Sequence, residues 1–169
     1  MPQPARAGEP VTRPRDLAGG RTHVLETWQW VPRELDETFA FFSDARNLEA
    51  ITPGFLGFEI RTPLPIDMHA GTLIEYRLRL LGVPMTWLTR IDLWVPGRTF
   101  VDRQLRGPYA RWVHTHRFTP ADGGTLVEDH VEYAVPFAPL SDPVWTLFVR
   151  PTVERIFRHR HRAIARLLG

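Results

Sequence analysis

The chain contains no cysteine among its 169 residues, so a disulfide, a thiolate nucleophile and a cysteine-ligated zinc site are excluded together. Lysine is missing too, since all 21 residues in the Lys+Arg count are arginine. A Schiff-base mechanism and a Walker-type phosphate lysine therefore have no residue to act through. Nowhere does the sequence offer the roughly 20 consecutive apolar residues that span a bilayer, and its first 20 residues hold no apolar run suited to a signal peptide. A cytoplasmic location is the expectation. The formal net charge is only +2, and a nucleic-acid partner would require a basic stripe beyond that balance, so none is expected. What the chain does have is 43% hydrophobic and 11% aromatic residues, ample for one domain with a sizeable core.

Residues 1–20 carry prolines, arginines and glycines with few large apolar side chains, which predicts a disordered N-terminal tail. Residues 21–169 are expected to form a single domain. In residues 21–31, His23, Leu25, Thr27 and Gln29 alternate with Val24, Glu26, Trp28 and Trp30, which predicts a first strand. Pro32 then opens a helix with Leu35, Phe39 and Phe42 on one side, and a second short helix follows with Ala45, Leu48 and Ile51 inward. Residues 55–62 read as a strand. Ile74, Tyr76, Leu78 and Leu80 alternate with charged neighbours, as do Trp87, Thr89, Ile91 and Leu93 with Leu88, Arg90, Asp92 and Trp94, giving a sheet with one dry and one wet face. The last strand places Val127, Asp129, Val131, Tyr133 and Val135 together, so Asp129 is the acidic residue on an otherwise apolar face. A long helix is predicted over residues 140–168, with Trp145, Phe148, Val149, Val153, Ile156, Phe157, Ile164 and Leu167 as its apolar stripe and Arg150, Arg155, Arg158, Arg160, Arg162 and Arg166 on the opposite side. Pro151 predicts a kink or break.

The segment around which the rest is organised is residues 100–118, two strands joined at Gly107-Pro108. Trp112, His114, His116 and Phe118 share one face of the second strand, and Arg111, Val113, Thr115 and Arg117 share the other. Pairing Phe100 with Phe118 would set Asp102 opposite His116 and Gln104 opposite His114. One curved antiparallel sheet covered by one amphipathic helix is an α+β pattern. A single helix cannot fill a wide concave sheet, so a pocket with apolar walls and a few polar groups is expected between them.

Asn47-Leu48 with Ile51-Thr52-Pro53, Phe100-Val101-Asp102-Arg103-Gln104, Gly107-Pro108-Tyr109, and Trp112, His114, His116 and Phe118 resemble the START-like SRPBCC superfamily, in its bacterial polyketide cyclase/dehydrase-like branch. The resemblance runs from about residue 22 to the end of the chain. It implies a helix-grip fold: a curved antiparallel sheet of about seven strands wrapped around a long C-terminal helix, two short helices after the first strand, and a cavity for hydrophobic ligands such as lipids, quinones or polyketides. The superfamily includes carriers, sensors and cyclases, and fold alone does not choose among them.

Three readings compete for the inward polar residues Asp102, Gln104, His114, His116 and Asp129. They form a structural hydrogen-bond network, or the polar end of a ligand cavity, or an acid/base centre in which His114 or His116 is assisted by Asp102 or Asp129. The ligand-binding set would be Tyr76, Trp87, Asp102, Gln104, Trp112, His114, His116, Tyr133 and Phe157. His114 and His116 could face one ion, but no sequence feature supplies a third ligand, so no metal and no cofactor is expected. The leading expectation is a binding module for a hydrophobic or amphipathic small molecule. A cyclase or dehydratase is the alternative, and a lipid-delivery domain that meets a membrane through its basic helix is a third.

Overall fold

Pro32 ends the first long run of alternating side chains, and the chain then follows the order that periodicity predicts. The computed structural model describes residues 7–17, 20–80, 82–137, 140 and 142–169. They form β1 (Ala7–Leu17), β2 (Gly20–Val31), the short helices α1 (Leu35–Ser43) and α2 (Arg46–Ala50), a 3-10 turn (Gly54–Leu56), and β3 (Glu59–Ile60). Strands β4 (Leu73–Leu80), β5 (Val83–Val95), β6 (Thr99–Arg106), β7 (Arg111–Ala121) and β8 (Gly124–Ala134) come next, and α3 (Asp142–Val144), a π turn (Trp145–Val149) and α4 (Arg150–Leu168) close the chain. The strands make one eight-stranded sheet in the order β1-β2-β8-β7-β6-β5-β4-β3. Every neighbouring pair is antiparallel. This is the α+β helix-grip architecture, with one strand more than the seven expected.

The additional strand is β1, which corrects the tail reading for residues 7–17. Its hold on the fold is mostly main-chain pairing to β2, with Pro10 and Thr12 turned in and Glu9, Val11, Arg13 and Arg15 exposed. So few apolar anchors read as disorder from composition. Pro10 and Pro14 lack an N–H and are tolerated because β1 is an edge. At the opposite edge β3 is only two residues long, much shorter than the strand expected over residues 55–62.

One further departure has a local cause. A β-bulge between Ile91 and Leu93 gives Asp92 no opposite number on β6, and the extra residue reverses the facing of the side chains after it. Leu93, expected inward, is exposed, while Trp94 turns in against Phe39 and Phe100. At the β7–β8 hairpin the two turn residues Asp122 and Gly123 have φ of 50° and 72°, the type I′ pattern.

The closing helix breaks where Pro151 predicts. Arg150 N–H bonds to Trp145 O, five residues back, and regular α-helix resumes with Pro151 in its first turn. From there Val153, Phe157, Ala163, Ile164 and Leu168 are buried. Leu168 therefore replaces the expected Leu167, which is exposed. Each fully buried Val, Ile or Phe contributes about 1.5–3 kcal/mol, and this face holds the helix on the concave side of the sheet.

Candidate functional site

Two apolar clusters lie under α4. One is built on Phe39, Phe100, Phe118, Val127 and Ile164, the other on Leu25, Trp87, Tyr109, Val131, Tyr133 and Phe157. Between them the sheet carries a polar belt across its strands, because register places Thr27 of β2 beside Asp129 of β8, Asp129 beside His116 of β7, and His114 of β7 beside Asp102 of β6.

The β6–β7 register differs from the expected one by two residues: Phe100 pairs with His116 and Asp102 with His114. A shift of two leaves every side chain on its expected face. Asp102 still reaches His116 diagonally, with Oδ2 3.1 Å from Nε2, and lies 3.7 Å from His114 Nδ1. Asp129 Oδ1 accepts from His114 Nε2 at 2.9 Å and stands 2.9 Å from His116 Nδ1. Both imidazoles thus sit between the same two carboxylates, their ring centres 3.7 Å apart.

Arg160 of α4 completes the group. Its Nε lies 3.7 Å from Asp129 Oδ2, its Nη2 3.5 Å from His116 Nδ1, and its guanidinium covers the Phe42 ring at 5.2 Å. It was expected on the solvated arginine face, and it is buried. The periodicity held the signal: residue 160 falls three after Phe157 and four before Ile164, on the buried stripe. Its charge misdirected the reading.

The environments drive the two histidines apart. Burial and the neighbouring His116 lower the His114 pKa against the pull of Asp129 and Asp102. Burial also opposes the charged form of His116, but its contacts with Asp102 and Asp129 win and raise its pKa. Burial would raise the Asp129 carboxyl, yet Arg160, His114 and His116 hold it well below the usual carboxylate range. Protonation is therefore favoured at His116 over His114, and Arg160 lies on the same side as Asp129.

Asp102, His114, His116 and Arg160 line a cavity of about 200 Å³ between sheet and helix. By that measure one water needs about 10–15 Å³, so the space is a chamber and not a packing fault. Of the ligand set read from sequence, Tyr76, Trp87, Asp102, Trp112, His114, His116 and Phe157 line it. Gln104 does not: its amide donates to Tyr109 O at 2.7 Å and accepts from Tyr109 N–H, clamping the β6–β7 turn. Tyr133 is fully buried in the core, and its hydroxyl accepts from Trp145 Nε1 at 3.2 Å. Asp129 stands behind the histidines, outside the lining. Arg160, Phe42, Thr89 and Tyr109 also line the chamber and were not in the set. Thr89 Oγ1 lies 2.5 Å from Tyr76 Oη and accepts from Trp87 Nε1, so the aromatic wall is braced by one hydroxyl.

With this geometry in place, the profile of the polyketide cyclase/dehydrase and lipid transport family matches residues 31–158. The chain belongs to that family. Solved structures agree on this fold. The Zhui aromatase/cyclase from Streptomyces is 18% identical, with 85% of this chain and 92% of that one covered at a TM-score of 0.67. Protein CV1439 from Chromobacterium violaceum is 13% identical, covering 86% and 96% at 0.67, and TTHA0849 from Thermus thermophilus is 15% identical, covering 86% and 99% at 0.64. At such identities the likeness is one of fold. Among curated proteins none matches. In this family member, no helix among the described residues is long and apolar enough to cross a membrane. Asp102, His114 and His116 also present donor atoms within 4.8 Å of one another, a cluster compact enough to hold an ion.

Proposed function

We propose that the chain binds one hydrophobic or amphipathic small molecule, of lipid, quinone or polyketide type, in the chamber between sheet and α4. The observation that carries this is the make-up of the chamber wall: apolar and aromatic side chains over most of it, with Asp102, His114, His116 and Arg160 grouped together on it. A ligand whose oxygen-bearing end meets Arg160 and the histidines, and whose hydrocarbon lies against Trp87 and Phe157, satisfies both halves. Arg160 supports a polar head in particular, since it is the cationic side chain in the lining beside the histidines.

Thermal-shift and native mass spectrometric screens of lipids, quinones and aromatic polyketides test this reading. At 100 times its Kd a ligand stabilises the folded state by about 2.7 kcal/mol, a clear upward shift in Tm. Ile156→Trp, at a half-buried lining position of α4, is expected to abolish that shift with an unchanged far-UV spectrum. If no apolar ligand binds, or Ile156→Trp binds as well as the parent, the reading fails.

A second reading, cyclisation or dehydration of such a ligand, is favoured by the divergent pKa values of the adjacent histidines. His114, with its pKa lowered, beside His116, with its pKa raised, offers a base and an acid on one wall. It requires turnover that is lost in His114→Ala or His116→Ala while folding persists, and full activity in both variants would end it.

A further inference from the structure

The donor set that sequence left incomplete is completed by register: β6 brings Asp102 to the two histidines of β7. We propose that Asp102, His114 and His116 form a site for one divalent transition-metal ion, such as zinc, cobalt(II) or iron(II), with its remaining positions open to the chamber. In a tetrahedral site with bonds of about 2.0–2.2 Å, neighbouring donor atoms stand roughly 3.3–3.6 Å apart. Asp102 Oδ2 lies 3.1 Å from His116 Nε2 and 3.7 Å from His114 Nδ1, both near that spacing, and the three donor atoms all lie within 4.8 Å of one another, close enough for side-chain adjustment to bring them onto one ion.

The far side of the group is arranged for the same purpose. Asp129 Oδ1 accepts from His114 Nε2 and stands 2.9 Å from His116 Nδ1. With those nitrogens protonated, each ring turns its other nitrogen, bearing a lone pair, toward Asp102. A carboxylate holding the outer nitrogen of each ligating histidine is the usual support of a metal site, fixing tautomer and orientation. Arg160 is the nearest competing cation, and it approaches on the Asp129 side, where that carboxylate offsets it. Two imidazoles and one carboxylate suit zinc, cobalt(II) or iron(II), while calcium and magnesium prefer oxygen donors throughout.

The inference rests on the donor geometry and not on any organic ligand, so its test uses the metal alone. Untagged, chelator-treated full-length protein is titrated with Co²⁺ and followed by calorimetry and visible absorption. One equivalent bound with d–d bands is expected, lost in His114→Gln and His116→Gln and unchanged in His69→Ala, whose side chain is exposed. Asp129→Asn is expected to weaken binding about 10–100-fold. Absence of binding, or binding equal in the histidine variants and the parent, overturns the proposal. If those variants do not fold, parent crystals soaked in zinc decide it. An anomalous peak about 2.0–2.2 Å from the three donor atoms supports the site, and a peak only at surface histidines, or none, removes it. A negative result here leaves small-molecule binding untouched, which the ligand screen addresses separately.

Discussion

At the scale of single residues, the molecule commits charge to its interior in a compensated set. Asp129 and Arg160 are 4% and 8% exposed, a depth at which removing one charge strands the other. Asp129→Asn is therefore expected to destabilise the fold by on the order of 3 kcal/mol, read as a lower urea midpoint at constant m-value. His161 makes a different contribution. It is buried, with Nε2 3.0 Å from Thr27 Oγ1 and its carbonyl accepting from Gln29 Nε2 at 2.9 Å. Burial lowers its pKa, with Asp129 and Arg160 acting in opposite senses. The unfolded chain accepts a proton near pH 6.5 that the folded chain refuses, so this contribution is intact above that pH and lost as the pH falls through it. Between about pH 7 and pH 5 the urea midpoint of the parent is expected to fall more than that of His161→Gln. The sequence named His114, His116, Asp102 and Asp129 because period-two alternation sorts strand residues by face whatever their chemistry. Arg160 is hidden by its own type, since its charge points to solvent where its helical position points inward.

At the scale of elements, alternation and turn chemistry made β2 and β4 to β8 legible, and Pro32, Pro151 and the Asp122-Gly123 pair marked their limits. Three things were not. The bulge at Asp92 depends on a one-residue mismatch between two strands, which neither strand shows alone. The β6–β7 register depends on how Gln104 clamps the turn at Tyr109, a contact invisible until both ends are placed. The strand β1 is held by its neighbour's backbone more than by its own side chains. The β7–β8 hairpin offers a direct check on how closely elements meet. A Cβ at Gly124 would collide with the carbonyl oxygen of Val31 and fall 2.8 Å from the Trp30 ring, so Gly124→Ala must push β8 from β2. A loss of about 1–3 kcal/mol is expected, with the protected amides of β2 and β8 exchanging faster than in the parent.

At the scale of the whole molecule, the sheet is curved around one helix and meets the outside at two rims that are unlike each other. One is only two residues long. The other, β1, is eleven residues long, yet Pro10 and Pro14 remove two of the amide donors with which a visiting strand would be captured. Removing residues 1–17 uncovers the full outer border of β2, twelve residues with no proline. The truncated chain is expected to melt lower and to show concentration-dependent light scattering where the parent shows none. The N-terminal segment, whose composition predicts a disordered tail, then serves as a selvedge: it finishes the fabric of the sheet so that one molecule cannot be stitched to the next.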